Sequence, residues 1–446
     1  MEGDASRYCG ELARLLSRLV QVRTVNDPSR GVRPGFREAS RIASIIEEEA
    51  GVGLEILEGP SPVLFWTAGS GRPVTLLLAH YDVVPPGPGW TVDPFSGEIV
   101  SDRLYGRGSA DDKSNVAAIS HALRDISPRR GTIVAAFTGD EETGGESAAW
   151  LARLLEREGL WPDYLVNGDG SLSRIIVRRR NAFTARIRVP RREVRLAGSP
   201  VERRFETRIL LRRTMHSAYF IPGVDTHALV AASLWLLDND SLLASSLSGE
   251  WVKTNVIPRS VTVRAVEPGG GGEALADEGL TALLRSIVPI TRSPVPAEMF
   301  SDYGVSINPN MYAYGDGEHV LYLDIRAMTR SRGTIEEALR YVLDNTLGSG
   351  RYELTVRGGG GYLYTDPSSA IVREASLVAS TLGLDPRPVE AGGASDSRHF
   401  SPRGVQAIDF GPLGFNIHGP DEHVLLDHLC TAREFYRLLA LRLQEV

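Results

Sequence analysis

Two kinds of hydrophobic pattern divide the chain. In its first third the apolar runs are short and unbroken: VTLLLAH (residues 74–80), TIVAAFTGD (132–140) and DYLVNGD (163–169). Runs of this length, without polar alternation, predict strands buried on both faces. Between them, SNVAAISHALRDI (114–126) and ESAAWLARLLEREG (146–159) carry helical periodicity. Strand, helix and strand in alternation predict an α/β domain whose mainly parallel sheet is flanked by helices.

Near Arg178 the pattern changes. FTARIRVP (183–190) and FETRILLRRT (205–214) alternate apolar and polar residues, as half-exposed strands do. A helix is expected over 223–239, a strand at VTVRAV (261–266), and a Gly-rich breaker at GGGG (269–272). A helix at LTALLRSIV (280–288), the strand VLYLDIRA (320–327) and a helix at TIEEALRYVLDN (334–345) follow. This mixture, with one sheet face exposed, predicts an α+β domain. A second GGGG (358–361) marks its end. Then IVREASLVASTLG (371–383), VQAIDFGP (405–412) and LCTAREFYRLLALRLQ (429–444) return to helix, strand and helix. The organisation expected is one α/β domain, 1–178 and 366–446, interrupted by an inserted domain at 179–365.

Composition changes this picture little. A chain of 446 residues exceeds one ordinary core, in keeping with two domains. The net charge of −7, with both signs interspersed, disfavours nucleic acid or an anionic membrane as the main partner. No run approaches the roughly 18 to 20 apolar residues of a spanning helix, and MEGDASRYCGELARLL has no signal-type apolar core. Cys9 and Cys430 lie at opposite ends, offering neither a disulfide framework nor metal-ligand spacing. A reducing, cytoplasmic compartment is the expectation. Lys113 and Lys253 are the only lysines among 49 basic residues, which makes Lys113, beside two aspartates, conspicuous.

Candidate chemistry follows the unbroken strands. His80 and Asp82 come after the first, Asp140, Glu141 and Glu142 after the second, and Asp169 after the third. Ligands of open α/β sheets bind beyond the carboxyl ends of the strands, so these side chains should meet. LYGRGSADDKS (104–114) adds Asp111 and Asp112, and GPLGFNIHGPDEH (411–423) adds His418. Imidazoles and carboxylates together suit Zn²⁺, Mn²⁺ or Co²⁺. Two metals about 3.5–4 Å apart need one bridging carboxylate, and the inventory leaves a glutamate over as general base.

HYDVVP (80–85), LYGRGSADDKS, TGDEETGG (138–145), the acid of NGDGS (167–171), AGGASDSRHF (391–400) and NIH (416–418) occur in an order that resembles the co-catalytic two-metal aminoacylase and carboxypeptidase family. That family includes acetylornithine deacetylases, succinyl-diaminopimelate desuccinylases, carboxypeptidases and dipeptidases. The resemblance implies a zinc-peptidase-like catalytic domain with an inserted lid or dimerisation domain. It implies that His80 and Asp169 hold one metal, Glu142 and His418 the other, and that Asp111 bridges them across a cis Asp111–Asp112 peptide. Asp82 would accept from the far nitrogen of His80, orienting it and making it more basic. Glu141 would take the proton of a metal-bridging water.

In the inserted domain, TMHSAYFIPGVDTHAL (214–229) resembles the family's histidine segment, which implies that His216 stabilises an oxyanion. In dimeric members that histidine comes from the partner subunit. The same resemblance implies that Arg326, in LDIRA, holds a substrate carboxylate, and that Gly392, Gly393 and Asp396 line the substrate pocket. Asn255 and Asn308 both match a family asparagine. The expected activity is hydrolysis of N-acyl amino acids with two divalent cations, zinc first and cobalt or manganese next, by a homodimer. The alternative is a dipeptidase or carboxypeptidase. A two-metal phosphoesterase would instead need basic groups near the metals, where Arg107 and Lys113 are the candidates.

Overall fold

A computed structural model of the chain describes residues 2–210, 215–296 and 305–446. The chain divides into two compact units: Met1–Arg179 with Tyr362–Val446, and Arg180–Gly361.

In the first unit, nine strands of the described residues form one sheet. From edge to edge they are Glu55–Leu57, Val63–Ser70, Gly131–Thr138, Val74–His80, Tyr164–Asn167, Gln406–Asp409, Ile176–Arg179 and Leu363–Tyr364, with Val389–Glu390 paired to Ile176–Arg179. The four strands from Gly131–Thr138 to Gln406–Asp409 are mutually parallel. Outward of these the path continues antiparallel on both sides, so the sheet is parallel at its centre and mixed at its margins. The margins have weaker signals: Val63–Ser70 is buried only in its first half and Leu363–Tyr364 is two residues long.

Val74–His80 and Gly131–Thr138 are buried at every position. Their side chains split by parity between two cores. Leu77 and Ala79 pack with the helices Glu2–Val20, Phe36–Ala50, Lys113–Leu123, Ala370–Thr381 and Leu426–Arg442. Leu76 and Leu78 face the helix Glu146–Arg157 and Phe400. Helices on both faces leave the strand ends as the place for polar side chains.

Cys9 and Cys430 are joined by a disulfide, with Cα atoms 5.5 Å apart across a sequence separation of 421. This corrects the expectation of unpaired cysteines, and the argument for a reducing compartment loses its basis. Spacing could not show it, because the pairing depends on the first and last helices packing together. Among the described residues no helix is long and apolar enough to cross a membrane.

The second unit holds a four-stranded antiparallel sheet, Ser306–Gly315, Glu318–Ala327, Asn181–Pro190 and Glu353–Gly358 in that order. Its buried face packs on the helices Ala228–Asp238, Glu278–Thr291 and Arg332–Thr346. A three-stranded antiparallel sheet, Glu193–Glu206, Ser260–Asp277 and Leu243–Gly249, completes it. Two expectations are revised. The second strand is Glu193–Glu206, so FETRILLRRT contributes only Phe205 and Glu206, and residues 211–214 lie outside the described residues. The tract 269–272 does not end a strand. Ala197 pairs with Glu273 and Gly198 with Pro268, so the four glycines are looped out as a bulge within Ser260–Asp277.

Candidate metal centre

Three adjacent parallel strands bring the candidate ligands to one sheet end. Val74–His80 ends on His80, Gly131–Thr138 leads into Asp140–Glu142, and Tyr164–Asn167 leads to Asp169. Backbone crowding allows the last approach: a Cβ on Gly411 would lie 2.2 Å from the carbonyl oxygen of Gly170. Asp111 precedes the helix Lys113–Leu123, and its peptide bond to Asp112 is cis. His418 lies in a loop where Asn416, His418 and Asp421 have φ of 56°, 62° and 54°.

Two groups of donor atoms result. One ligand atom each from His80, Glu141 and Asp169 lie within 4.8 Å of one another, and so do atoms from Asp111, Glu142 and His418. Asp111 faces both groups: Oδ1 is 3.1 Å from His80 Nε2 and Oδ2 is 3.2 Å from His418 Nε2. His418 Nε2 is 3.1 Å from Glu142 Oε1. The ring of His80 is fixed from behind, its Nδ1 3.1 Å from the carbonyl oxygen and 3.3 Å from Oδ1 of Asp82. The fully buried Asp82 carboxylate also accepts from the backbone N–H of Glu141 and Glu142 and from Asn26 Nδ2. One carboxylate thus orients an imidazole and the turn that carries two glutamates. Glu141, expected only as a base, also lies among the donor atoms of the first group.

Burial dominates the electrostatics. It pushes Asp169 well above the carboxylate range and Glu142 up to about 7. Burial opposes charge on His418, but the Asp111 and Glu142 carboxylates outweigh it and raise the ring to about 11. Burial would likewise raise Asp111, yet His418 and His80 hold it well below its usual range. Four carboxylates therefore share a small space with two imidazoles, and Arg398 and Arg179 stand at its edge beside Glu141 and Asp169. A divalent cation could supply positive charge within that space while the rings donate lone pairs, so the residues fit two such ions.

The other expected residues fall into two places. In the first unit, Gly392 accepts from Arg179 Nη1 (2.8 Å), Gly393 has φ of 85°, and the buried Asp396 accepts from Thr138 Oγ1 (3.2 Å). Burial raises Asp396 to about 7. In the second unit, His216 Nδ1 accepts from the backbone N–H of Ala218 (3.1 Å). Its Nε2 lies 3.1 Å from Asn255 Nδ2, whereas Asn308 is buried against Ser306 and Ser217. The guanidinium of Arg326 makes two bonds to Asp324, which in turn accepts from Ser217 beside His216. Arg326 therefore braces the His216 turn through an internal carboxylate.

Neither phosphoesterase candidate offers a phosphate site. Arg107 is buried against Glu422, and the fully buried Lys113 donates to the carbonyl oxygen of Val22 (2.6 Å). Two residues without an expected role also meet the site. Arg398 is buried with Nη1 3.2 Å from Glu141 Oε1. Its signal was an arginine two residues beyond Asp396. Asn115 donates to Asp112 Oδ1 and the Gly168 carbonyl, and Asp112 accepts from the His80 N–H. A buried asparagine at the start of a helix was its signal.

The family model described as peptidase family M20/M25/M40 matches residues 76–442. The chain belongs to this family. An M20 chain is a metallohydrolase that acts on amide or peptide bonds. Among its relatives, a succinyl-diaminopimelate desuccinylase of Stenotrophomonas maltophilia is 27% identical over 392 residues, covering 85% of this chain and 86% of the relative. One of Xylella fastidiosa is 28% identical over 411 residues, covering 89% and 90%. In fold, this M20 chain is similar to the aminoacylhistidine dipeptidase of Vibrio alginolyticus, with a TM-score of 0.71, 16% identity and coverage of 98% and 96%. It is also similar to an M20 metallo-carboxypeptidase of Sulfolobus solfataricus, with a TM-score of 0.63, 16% identity and coverage of 98% and 99%.

Proposed function

We propose that the chain hydrolyses the amide bond of N-acyl amino acids, as a deacylase of the desuccinylase type. The observation that carries the reading is the pair of His–carboxylate groups joined by Asp111, with Glu141 at their edge held by Arg398. The desuccinylase relatives, matched along 85% or more of the chain, support the substrate class. A dipeptidase or carboxypeptidase of the same family is the second reading, and the dipeptidase fold neighbour favours it by architecture alone.

His80 and Asp169 would hold one divalent cation, Glu142 and His418 the other, and Asp111 both; zinc suits the donors best, then cobalt or manganese. When bound, such ions acidify water and polarise a carbonyl. The protein's own groups do the rest. Asp82 keeps the His80 ring in place. Arg398 occupies Oε1 of Glu141, which leaves Oε2 to take a proton from water and return it to the leaving nitrogen. In the second unit, His216 would help stabilise the oxyanion, as part of a homodimer in which this unit is the lid.

The test is hydrolysis of N-succinyl-diaminopimelate, N-acetylornithine and dipeptides by metal-loaded wild type and Glu141→Ala. Turnover of an acyl amino acid is expected, falling about 10²–10⁴-fold in Glu141→Ala while both metals stay bound. Cleavage of dipeptides alone would favour the second reading. No amide cleaved by a chain holding two metals would overturn both.

A further inference from the structure

The turn that carries Asp111 and the loop that carries His418 are fastened together by a residue outside every set assigned above. Glu422 is fully buried, four residues beyond His418. Its Oε1 accepts from the backbone N–H groups of Gly108 (3.1 Å), Ala110 (3.0 Å) and Asp111 (3.0 Å). Its Oε2 accepts from Arg107, which is 1% exposed. The Glu422 carbonyl accepts from Gly106 N (2.9 Å) and Ser109 Oγ (3.2 Å). Arg107 also donates to the carbonyl oxygen of Gly419, next to His418 (3.2 Å).

A buried carboxylate is tolerated only when its oxygens are satisfied, and this one is satisfied by the Asp111 turn and by Arg107. Moving the turn would strand the charge, so the turn is held stiffly. The His418 loop needs such a hold. Three of its non-glycine residues have φ in the left-handed region, a conformation that persists where the surroundings over-determine it. Asp421 adds a second tie, accepting from the N–H and hydroxyl of Thr91. The Arg107–Glu422 pair thus ties the Asp111 turn to the His418 loop, beside the strand pairing of His423–Leu425 with Arg103–Tyr105.

We propose that Glu422 is a positioning residue that, by tying the Asp111 turn to the His418 loop, governs the ion at Asp111–Glu142–His418 most and the ion at His80 and Asp169, which also meets Asp111, less. The proposal rests on the two-metal reading above and adds the element that builds its second half. Outer partners of metal ligands typically govern affinity by about 10–100-fold.

The test is chelator-competition titration with Zn²⁺ on wild type, Glu422→Gln and His418→Ala. Wild type should hold two ions. Glu422→Gln removes the charge, so it should bind the ion at His418 about 10–100-fold more weakly and the other ion, which shares only Asp111, with a smaller loss. His418→Ala should weaken the first of these ions, and the double variant should lose less than the two single losses combined, because both act on one site. Unchanged affinities in Glu422→Gln, or an equal loss at both sites, overturn the proposal. A wild type that binds fewer than two ions overturns the metal reading beneath it, a distinguishable failure. Should Glu422→Gln not fold, Glu422→Asp withdraws the charge by one methylene and should show the same selective weakening; two unchanged affinities there overturn the proposal.

Discussion

The strand Val74–His80 in the first unit and the strand Asn181–Pro190 in the second make opposite use of the same backbone. Every side chain of the first is buried. The second alternates buried and half-buried positions, placing Arg186 and Arg188 on one face and Ala185, Ile187 and Val189 on the other. A strand covered on both faces has room for polar chemistry only at its end, where His80 sits. A strand with a wet face can carry charge anywhere along its length. The first unit therefore concentrates its ionisable groups at one sheet end, with Asp82, Asp112, Lys113 and Glu422 all buried there. In the second unit a buried group such as Asp277 serves structure, bonding His319 and capping the helix Glu278–Thr291.

The contrast can be broken most sharply with one incoming residue at two places. Leu77→Thr removes core volume and buries a hydroxyl between the sheet and its covering helices. It should cost about 3–5 kcal/mol in denaturant unfolding. Arg186→Thr puts a β-branched residue on the wet face and should stay within about 0.5 kcal/mol. Similar losses from both would mean that the two strands are not differently covered.

Next comes the disulfide, which joins the two chain segments of the first unit. Reduction of Cys9–Cys430, or Cys9→Ser, should destabilise by about 2–4 kcal/mol. Hydrogen exchange should report faster opening in the first unit and unchanged protection in the second. Equal loosening of both would show that the units open as one.

Acid provides a smaller and reversed effect, centred on the second unit. Burial, only partly offset by the hydrogen bond to Asn310, holds the fully buried His227 at about 4. An unfolded histidine titrates near 6.5. Between those values the unfolded chain binds a proton that the folded chain does not, so this contribution is present above pH 6.5 and lost as pH falls towards 4. The loss should be at most about 3 kcal/mol. Unfolding free energies at pH 7 and 4.5 should differ less in His227→Asn than in wild type. An unchanged difference would show that this ring is not kept neutral.

Much of this was legible in the residues because its causes are local. An unbroken apolar heptad such as VTLLLAH has few stable homes other than a doubly covered strand, and polar residues after it fall at the sheet end. The order of the motifs pointed to the family that the comparison then showed. The looped-out glycines at 269–272 misled, because composition alone does not distinguish a bulge from a strand end. Glu193–Glu206 was hidden by Gly198 and Pro200, which pairing with Ser260–Asp277 accommodates. Sequence offers Arg326 as a fork for substrate, and only the fold shows that its Nε and Nη2 bond Asp324.

The sequence by itself determined the buried strands and flanking helices of the first unit and the stock of imidazoles and carboxylates, since periodicity and composition act over a few residues. Tertiary structure decided which of those groups face one another. His80 meets Asp111 across 31 residues, Glu142 meets His418 across 276, and Arg107 meets Glu422 across 315. It also paired Cys9 with Cys430 and set Arg398 on Glu141. Contacts at such separations follow from helices and strands packing to bury apolar faces, and the energy that selects them belongs to the whole core rather than to any stretch of chain.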